Sequence, residues 1–278
     1  MSNPALGALR CPHCRSAFEP GAGALVCAHG HVFDIARQGY VNLLTRPAPR
    51  GADTADMVRA RDEFLGRGHY AAVVDGLVEA VDALVPAPGL VLDVGGGTGH
   101  YSAAVLDRRP DAPGVVLDIS KFAARRAAKA HPRLTAVVAD AWQEFPVADA
   151  AAGLVLNVFA PRNGGELRRV LRPEGALVVV TPDGEHLREL IGPLGLLSVD
   201  ERKDSRVAEQ LDPHFTPLRR TRVRTEVRLD RDAVRQVVAM GPNAWHHDSR
   251  GLDNLVSGLP DVVVVTVSVS VATYRPRP

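Results

Sequence analysis

All three cysteines of the chain fall in one short stretch: Cys11-Pro12-His13-Cys14, then twelve residues, then Cys27-Ala28-His29-Gly30-His31. Three thiolates and an imidazole make a Cys₃His set of the kind tetrahedral structural zinc takes, and four protein ligands leave no open position for catalysis. A Cys-x-x-Cys knuckle lets one turn present two sulfurs to a single ion, and Gly21, Gly23 and Gly30 suit the tight bends required. The imidazole that closes the set is His31 or His29. An odd cysteine count argues against a disulfide framework, and a segment this small folds only around such a staple.

A second pattern is Leu90-Val91-Leu92-Asp93-Val94-Gly95-Gly96-Gly97-Thr98-Gly99-His100-Tyr101. An apolar strand runs into a glycine cluster and then into a helix-compatible stretch, Tyr101 to Arg108. Glycines there let the backbone approach a cofactor closely and take positive φ. The spacing is Gly-x-Gly-x-Gly with Asp93 ahead of it, not the Gly-x-Gly-x-x-Gly of the NAD fingerprint. It looks like the first motif of class I S-adenosylmethionine-dependent methyltransferases. Asp93, Gly95, Gly97, Thr98 and Gly99 are therefore candidate cofactor residues. The next apolar strand, Gly114 to Leu117, ends in Asp118, about 20 residues after the loop, where a carboxylate can accept both hydroxyls of a ribose.

Elements must hold these residues in place. Strands are expected at Leu134–Ala139, Gly153–Phe159 and Ala176–Thr181, and helices at Phe122–Ala130, Glu166–Leu171 and Glu185–Ile191. Such alternation implies a parallel doubly wound sheet with ligand sites at the carboxyl ends of its strands. Asp140 and Ala141 follow the third strand, where an adenine edge would lie. Asn157 to Pro161 follow the fourth, beside the transferring methyl group. The run Val262 to Val271 suits the late antiparallel strand such enzymes add. Residues 45–69, with Pro47, Pro49, Gly51, Gly66 and Gly68, read as a linker hinging the zinc module over the active site. The expected division is a zinc-binding module at 1–44, a linker at 45–69 and a Rossmann-like methyltransferase domain at 70–278. The fold class is α/β, with a mostly parallel seven-stranded sheet.

The 278 residues are 46 % apolar, enough for a sizeable core. No run approaches the roughly 18 apolar residues of a membrane span, and Met1 to Arg10 lacks the features of a secretory signal. The expected compartment is the cytoplasm. With a net charge of +1, any RNA-binding surface must be local. Arg219, Arg220, Arg222, Arg224 and Arg228 include a period-2 series that would face an RNA backbone or guard an edge strand against aggregation. Arg10, Arg15, Arg37, Arg46 and Arg50 against Glu19 and Asp34 give the zinc segment a cationic balance that favours a polyanion over a small molecule.

Methylation at carbon 5 of a pyrimidine needs a cysteine nucleophile in the catalytic domain, and every cysteine lies in the zinc module. Radical methylation needs a different cysteine triplet. What remains is direct transfer to nitrogen or oxygen, in which the enzyme chiefly aligns the reacting atoms. The segment Asn157-Val158-Phe159-Ala160-Pro161-Arg162-Asn163 offers Phe159 to stack an extruded base, or to serve as plain core.

Taken together these motifs resemble the 23S rRNA guanine-N1 methyltransferases, and within them the actinomycete branch conferring resistance to tylosin and mycinamicin. The resemblance covers nearly the whole chain. It runs from the knuckles through His31–Leu44, Asp53–Met57, Gly68-His69-Tyr70, Gly95–His100, Asn157–Asn163 and Thr181-Pro182. It continues through His186-Leu187, Ala208–Leu211 and Val238–Pro242 to Trp245. It implies structural Zn²⁺ on Cys11, Cys14, Cys27 and His31, and S-adenosyl-L-methionine touched by Tyr70, Gly97, Thr98 and His186, with Asp118 at the ribose; Asn157, beside the transferring methyl group, is a further candidate cofactor residue. Thr98 stands where enteric relatives carry an acidic residue, a departure the resistance branch shares. The implied reaction is methylation of guanine N1 in a hairpin loop of 23S rRNA; a small-molecule N- or O-methyltransferase is the alternative. Asp183, Glu185 and His186 are the candidate proton acceptors. The expected partner is 23S rRNA, with no membrane and with homodimerisation left open.

Overall fold

The computed structural model describes residues 4–49, 51–84, 87–196, 203–245 and 249–278, and Arg50 lies outside them. After a 3₁₀ turn at Pro4–Ala8 come β1 (Phe18–Pro20), β2 (Ala24–Cys27), β3 (Val32–Asp34) and β4 (Tyr40–Asn42). Then follow α1 (Ala55–Gly66), α2 (Ala71–Leu84), β5 (Leu90–Val94), α3 (His100–Arg108), β6 (Gly114–Asp118), α4 (Lys121–Ala127) and β7 (Leu134–Val138). The second half runs β8 (Ala152–Val158), α5 (Gly164–Val170), β9 (Leu171–Pro182), α6 (Arg188–Leu194), α7 (Lys203–Leu211) and β10 (Phe215–Asp230). It ends with α8 (Arg231–Ala239), α9 (Ser249–Ser257) and β11 (Val262–Pro276).

The strands of the catalytic half are continuous apolar runs because a parallel sheet is buried on both faces; β5, β6, β7 and β8 are buried at every position. Their order is β10-β11-β9-β8-β5-β6-β7-β4. The chain winds outward from β5 in both directions, so the carboxyl end of β5 is the topological switch point where ligands bind. β11 lies antiparallel between β9 and β10, as expected of the late strand. Seven strands make up the expected sheet. The eighth is β4, which pairs parallel with β7, Tyr40 opposite Ala136 and Asn42 opposite Val138, and so covers what would be an open edge.

Helices α1 to α4, α6, α8 and α9 cover one face of the sheet. The other face is covered by α5, α7 and the cysteine-bearing segment: Leu9, Cys11, Phe18, Leu25 and Phe145 share a core with Leu92, Val115 and Val137. Residues 139–151, between β7 and β8, form no helix, and the small β1-β2-β3 sheet fills the place a crossover helix would take. It is held there by main-chain pairing of Leu9 with Val147 and by Arg15, which donates to Phe145 O (2.8 Å) and Val147 O (3.0 Å).

Two local expectations change. The stretch read as linker, 45–69, carries α1, capped by Thr54 Oγ1 on the Met57 N–H (3.2 Å) and burying Met57, Val58, Phe64 and Leu65. Those apolar pairs stand one two-turn interval apart, a helical signal that the flanking prolines and glycines mask. The helix expected from Glu185 begins only at Arg188, because Leu187 takes a left-handed φ of 55°.

Candidate active site and zinc centre

The Cys11 knuckle closes with the Arg15 N–H on Cys11 O, and the second with the Gly30 N–H on Cys27 O. Gly30 has φ +80°, which suits a residue without Cβ. Together they bring one donor atom each from Cys11, Cys14, Cys27 and His31 within 4.8 Å of one another. His31 Nδ1 stands 3.5 Å from Cys11 Sγ and 3.2 Å from Cys27 Sγ, and Cys14 Sγ 3.5 Å from Cys27 Sγ. Tetrahedral bonds of about 2.0–2.3 Å set donor separations of about 3.5–3.8 Å, so the set fits a zinc ion. The sulfurs are free thiols. His29 turns away to Ser16 Oγ (3.0 Å), which leaves His31 to complete the set.

At the switch point the glycine loop turns back over β5. Gly95, Gly97 and Gly99 take φ of +72°, +57° and +78°. A Cβ on Gly95 would stand 2.6 Å from Ala160 Cβ, and one on Gly96 would stand 2.5 Å from Asp93 Oδ2. Asp93 is fully buried; its Oδ2 accepts from Ser102 Oγ (2.5 Å) and its Oδ1 has no partner. Burial pushes its carboxyl up to about 7, against the hydrogen bond from Ser102, with the Asp118 charge adding to the rise. Asp118, one strand over, accepts the Gly97 N–H (2.9 Å) and the Ser120 N–H (2.8 Å); burial raises its pKa in spite of both bonds. Thr98 is buried in the loop. A cleft of about 820 Å³ opens beside these carboxylates, walled by Asn42, Arg46, Asp53, Ser120, Lys121 and Phe122.

An aromatic cluster closes the other side. Tyr70 is buried, and its hydroxyl meets His186 Nε2 at 3.0 Å. His186 Nδ1 accepts the Ser268 N–H (3.3 Å), which fixes the neutral tautomer with Nε2 as donor to Tyr70. Phe159 lies 6.2 Å from Tyr70, 6.3 Å from Tyr101 and 6.1 Å from His186, centroid to centroid. It is 39 % exposed and holds a left-handed φ of 53°. A half-exposed phenyl ring at a strand's carboxyl end is not packed as plain core. Asn157 is buried and occupied: its Nδ2 donates to Pro161 O (2.8 Å) and Val94 O (3.3 Å), and its Oδ1 accepts from Arg162 (3.2 Å). It braces the Phe159 loop against β5.

The three candidate acceptors are brought together, and each is engaged. Asp183 accepts from Arg222 Nε (2.8 Å), Ser268 Oγ (2.7 Å) and the Glu185 N–H (2.9 Å). Burial raises its pKa, but these three donors outweigh that and hold the carboxyl below its ordinary value. Arg224 and Arg222 do the same for Glu185. Two of the β10 arginines therefore face carboxylates of the same chain. The sequence reading missed Arg61, whose guanidinium pairs with Asp53, donates to Met240 O (2.6 Å) and lies against Gly97. Nothing near Arg61 in sequence signals a partner 179 residues away. Trp142, two residues after Asp140, is 58 % exposed.

A glycine loop at the switch point, a carboxylate ending the next strand and an aromatic clamp beyond define a class I S-adenosylmethionine-dependent methyltransferase joined to a zinc ribbon. The family profiles agree: one described as "RlmA, N-terminal", a zinc ribbon, matches residues 9–48, and one described as "Methyltransferase domain" matches residues 91–175. The chain is 52 % identical over 272 residues to the 23S rRNA (guanine(748)-N(1))-methyltransferase of Streptomyces fradiae, covering 97 % of each chain. It is 50 % identical over 286 residues to a protein of Micromonospora griseorubida provisionally described as a 23S rRNA (guanine-N(1)-)-methyltransferase, covering 96 % of this chain and 97 % of that one. A Bacillus subtilis protein with the same provisional description, YxjB, is 32 % identical and covers 85 % and 86 %. The chain belongs to the family of 23S rRNA guanine-N1 methyltransferases.

Proposed function

We propose that this enzyme transfers a methyl group from S-adenosyl-L-methionine to N1 of a guanine in a hairpin loop of 23S rRNA, and so confers resistance to tylosin- and mycinamicin-type macrolides. The carrying observation is the full-length identity with the Streptomyces fradiae enzyme, from which we take guanine 748 as the target. The bound cofactor supplies an electrophilic methyl group on a sulfonium. Gly95, Gly97, Thr98 and Gly99 hold it against the loop backbone, and Asp118 takes the ribose hydroxyls. The unpartnered Asp93 Oδ1 receives the ammonium of its amino-acid end. Tyr70, set by His186, closes the adenosine side, and Asn157 acts by fixing the loop that carries Phe159.

Phe159 stacks the extruded guanine. As the N1–carbon bond forms and the sulfur–carbon bond breaks, the N1 proton becomes acidic and a weak acceptor suffices. Asp183 and Glu185, kept ionised by their arginines, and water are adequate to that task; His186 has already committed its lone pair to Ser268. The functional division is a zinc module at 1–44 and a methyltransferase domain at 70–278, with 45–69 as an arm whose α1 delivers Arg61 to the glycine loop. Among the described residues no helix is long and apolar enough to cross a membrane; we place the enzyme in the cytoplasm with its ribosomal substrate.

The test is primer extension on 23S rRNA from a macrolide-sensitive host expressing the chain. A methyl group on N1 blocks the pairing edge, so reverse transcription should stop at the target guanine, and tylosin tolerance should rise. Read-through with unchanged tolerance contradicts the proposal.

A further inference from the structure

The exposed cations of this protein are not equivalent. Lys121 and Arg125 lie four residues apart on α4, and Lys129 continues their row in the turn that follows; all three are exposed, while Ala123, Ala124 and Ala127 pack inward. Lys121 and Lys129 are two of only three lysines in the chain. Arg37 precedes β4 and Arg46 follows it, both exposed. A Cβ built on Gly39 would touch Ala128 (3.6 Å), which sets the start of β4 beside the end of α4, and Arg46 shares a cleft wall with Lys121. Among the described residues none of these five has an acidic partner. Three carboxylates of the adjoining 53–62 segment are already taken: Asp53 by Arg61, Asp56 by Arg59 and Asp62 by Arg126.

The arginine row on β10 is different. Arg222 and Arg224 are bound by Asp183 and Glu185, Arg220 donates to Ser270 Oγ (2.6 Å), and Glu226 interrupts the row. Arg219 and Arg228 stand near its two ends, about 30 Å apart at the rise of an extended strand. Only unpaired cations release counterions from a phosphate backbone without first breaking an ion pair.

We propose that the α4–β4 edge, through Lys121, Arg125, Lys129, Arg37 and Arg46, holds the rRNA backbone, and that the arginine row of β10 does not. This deepens the reading of the chain as an rRNA methyltransferase and rests on it. The surface starts at Lys121, three residues after the ribose carboxylate Asp118, so RNA lying along it runs to the mouth of the cofactor cleft. It also spans both parts of the chain, because β4 follows directly on the zinc-ribbon strands.

The experiment uses the full chain and a labelled 23S rRNA hairpin containing the target guanine, with affinity read by anisotropy between 50 and 200 mM salt. Each lost phosphate contact makes the slope of log affinity against log salt shallower by about 0.7–0.9. The R125Q/K129Q variant, which leaves the cleft wall untouched, should lose about 1.4 to 1.8 from the slope, and R219Q/R228Q should lose none. Cofactor affinity and the melting temperature, read alongside, should stay at the wild-type values in both. A slope unchanged in the α4 variant, or one lost only in the β10 variant, overturns the proposal. If the wild-type chain methylates no rRNA at all, the enzymatic reading fails, and this surface with it.

Discussion

Asp93 should behave as a carboxyl that costs stability and returns affinity. It is fully buried under the glycine loop with one oxygen unpartnered, and burial raises its pKa to about 7, against about 4 in an unfolded chain. Between those values the folded state holds a proton that the unfolded state lacks. Stability from this group is therefore full below about pH 4, falls as the pH rises towards 7, and stays low above it. The gap of about three pH units corresponds to about 4 kcal/mol. Asparagine has the same shape and never ionises, so Asp93→Asn should melt higher than the wild type at pH 8.5, by about 2–4 kcal/mol in the cofactor-free chain. The two should converge only below about pH 4, where the carboxyl is protonated in both states. The same change removes a charged acceptor for the cofactor ammonium, a bond of about 1.5–3 kcal/mol, so calorimetry at pH 8 should show affinity for S-adenosylmethionine weakened about 10- to 150-fold. A variant that melts below wild type at pH 8.5 and binds the cofactor normally would refute the reasoning at both ends.

Purified without chelator, the chain should carry about one zinc per molecule by elemental analysis. Because the ribbon shares a core with β5, β6 and β7, Cys14→Ser should lower the melting temperature of the whole chain and not of the ribbon alone; a second, unshifted transition would contradict this. Gly97→Val forces a branched residue into φ +57° and towards Arg61 Nη1, 3.3 Å from its Cβ, so cofactor affinity should fall more than tenfold by calorimetry while the fold survives. Phe159→Ala should remove about 1–3 kcal/mol of base stacking, read as a roughly 5- to 150-fold loss in kcat/KM for rRNA with cofactor affinity unchanged; equal losses in both would make Phe159 part of the cofactor site instead.

The parts legible in the sequence are those whose signal is local. The Cys-x-x-Cys knuckles and the β5–glycine loop each concentrate their chemistry within a few residues, and Asp118 is marked by the end of an apolar run. Strand β4 was illegible because three residues, Tyr40–Asn42, carry no periodicity, and their pairing with β7 is decided by the open edge they cover. The engagement of Asp183 and Glu185 was also hidden. Their arginine partners lie 39 residues on, and the contact exists only because β11 inserts between β9 and β10. Residue spacing alone left His31 and His29 open; the family resemblance chose His31, and the turn at Gly30 points that ring at the sulfurs and the His29 ring at Ser16.

The central claim is methyl transfer to guanine N1 of 23S rRNA, and nucleoside analysis tests it most directly. Unmodified 23S rRNA should be incubated with the purified chain and isotopically labelled S-adenosylmethionine, digested to nucleosides and resolved by mass spectrometry. The account predicts label in 1-methylguanosine alone, lost when Gly97 is changed to Val. Label on a ribose oxygen, on another base, or on a small molecule and never on rRNA would contradict it.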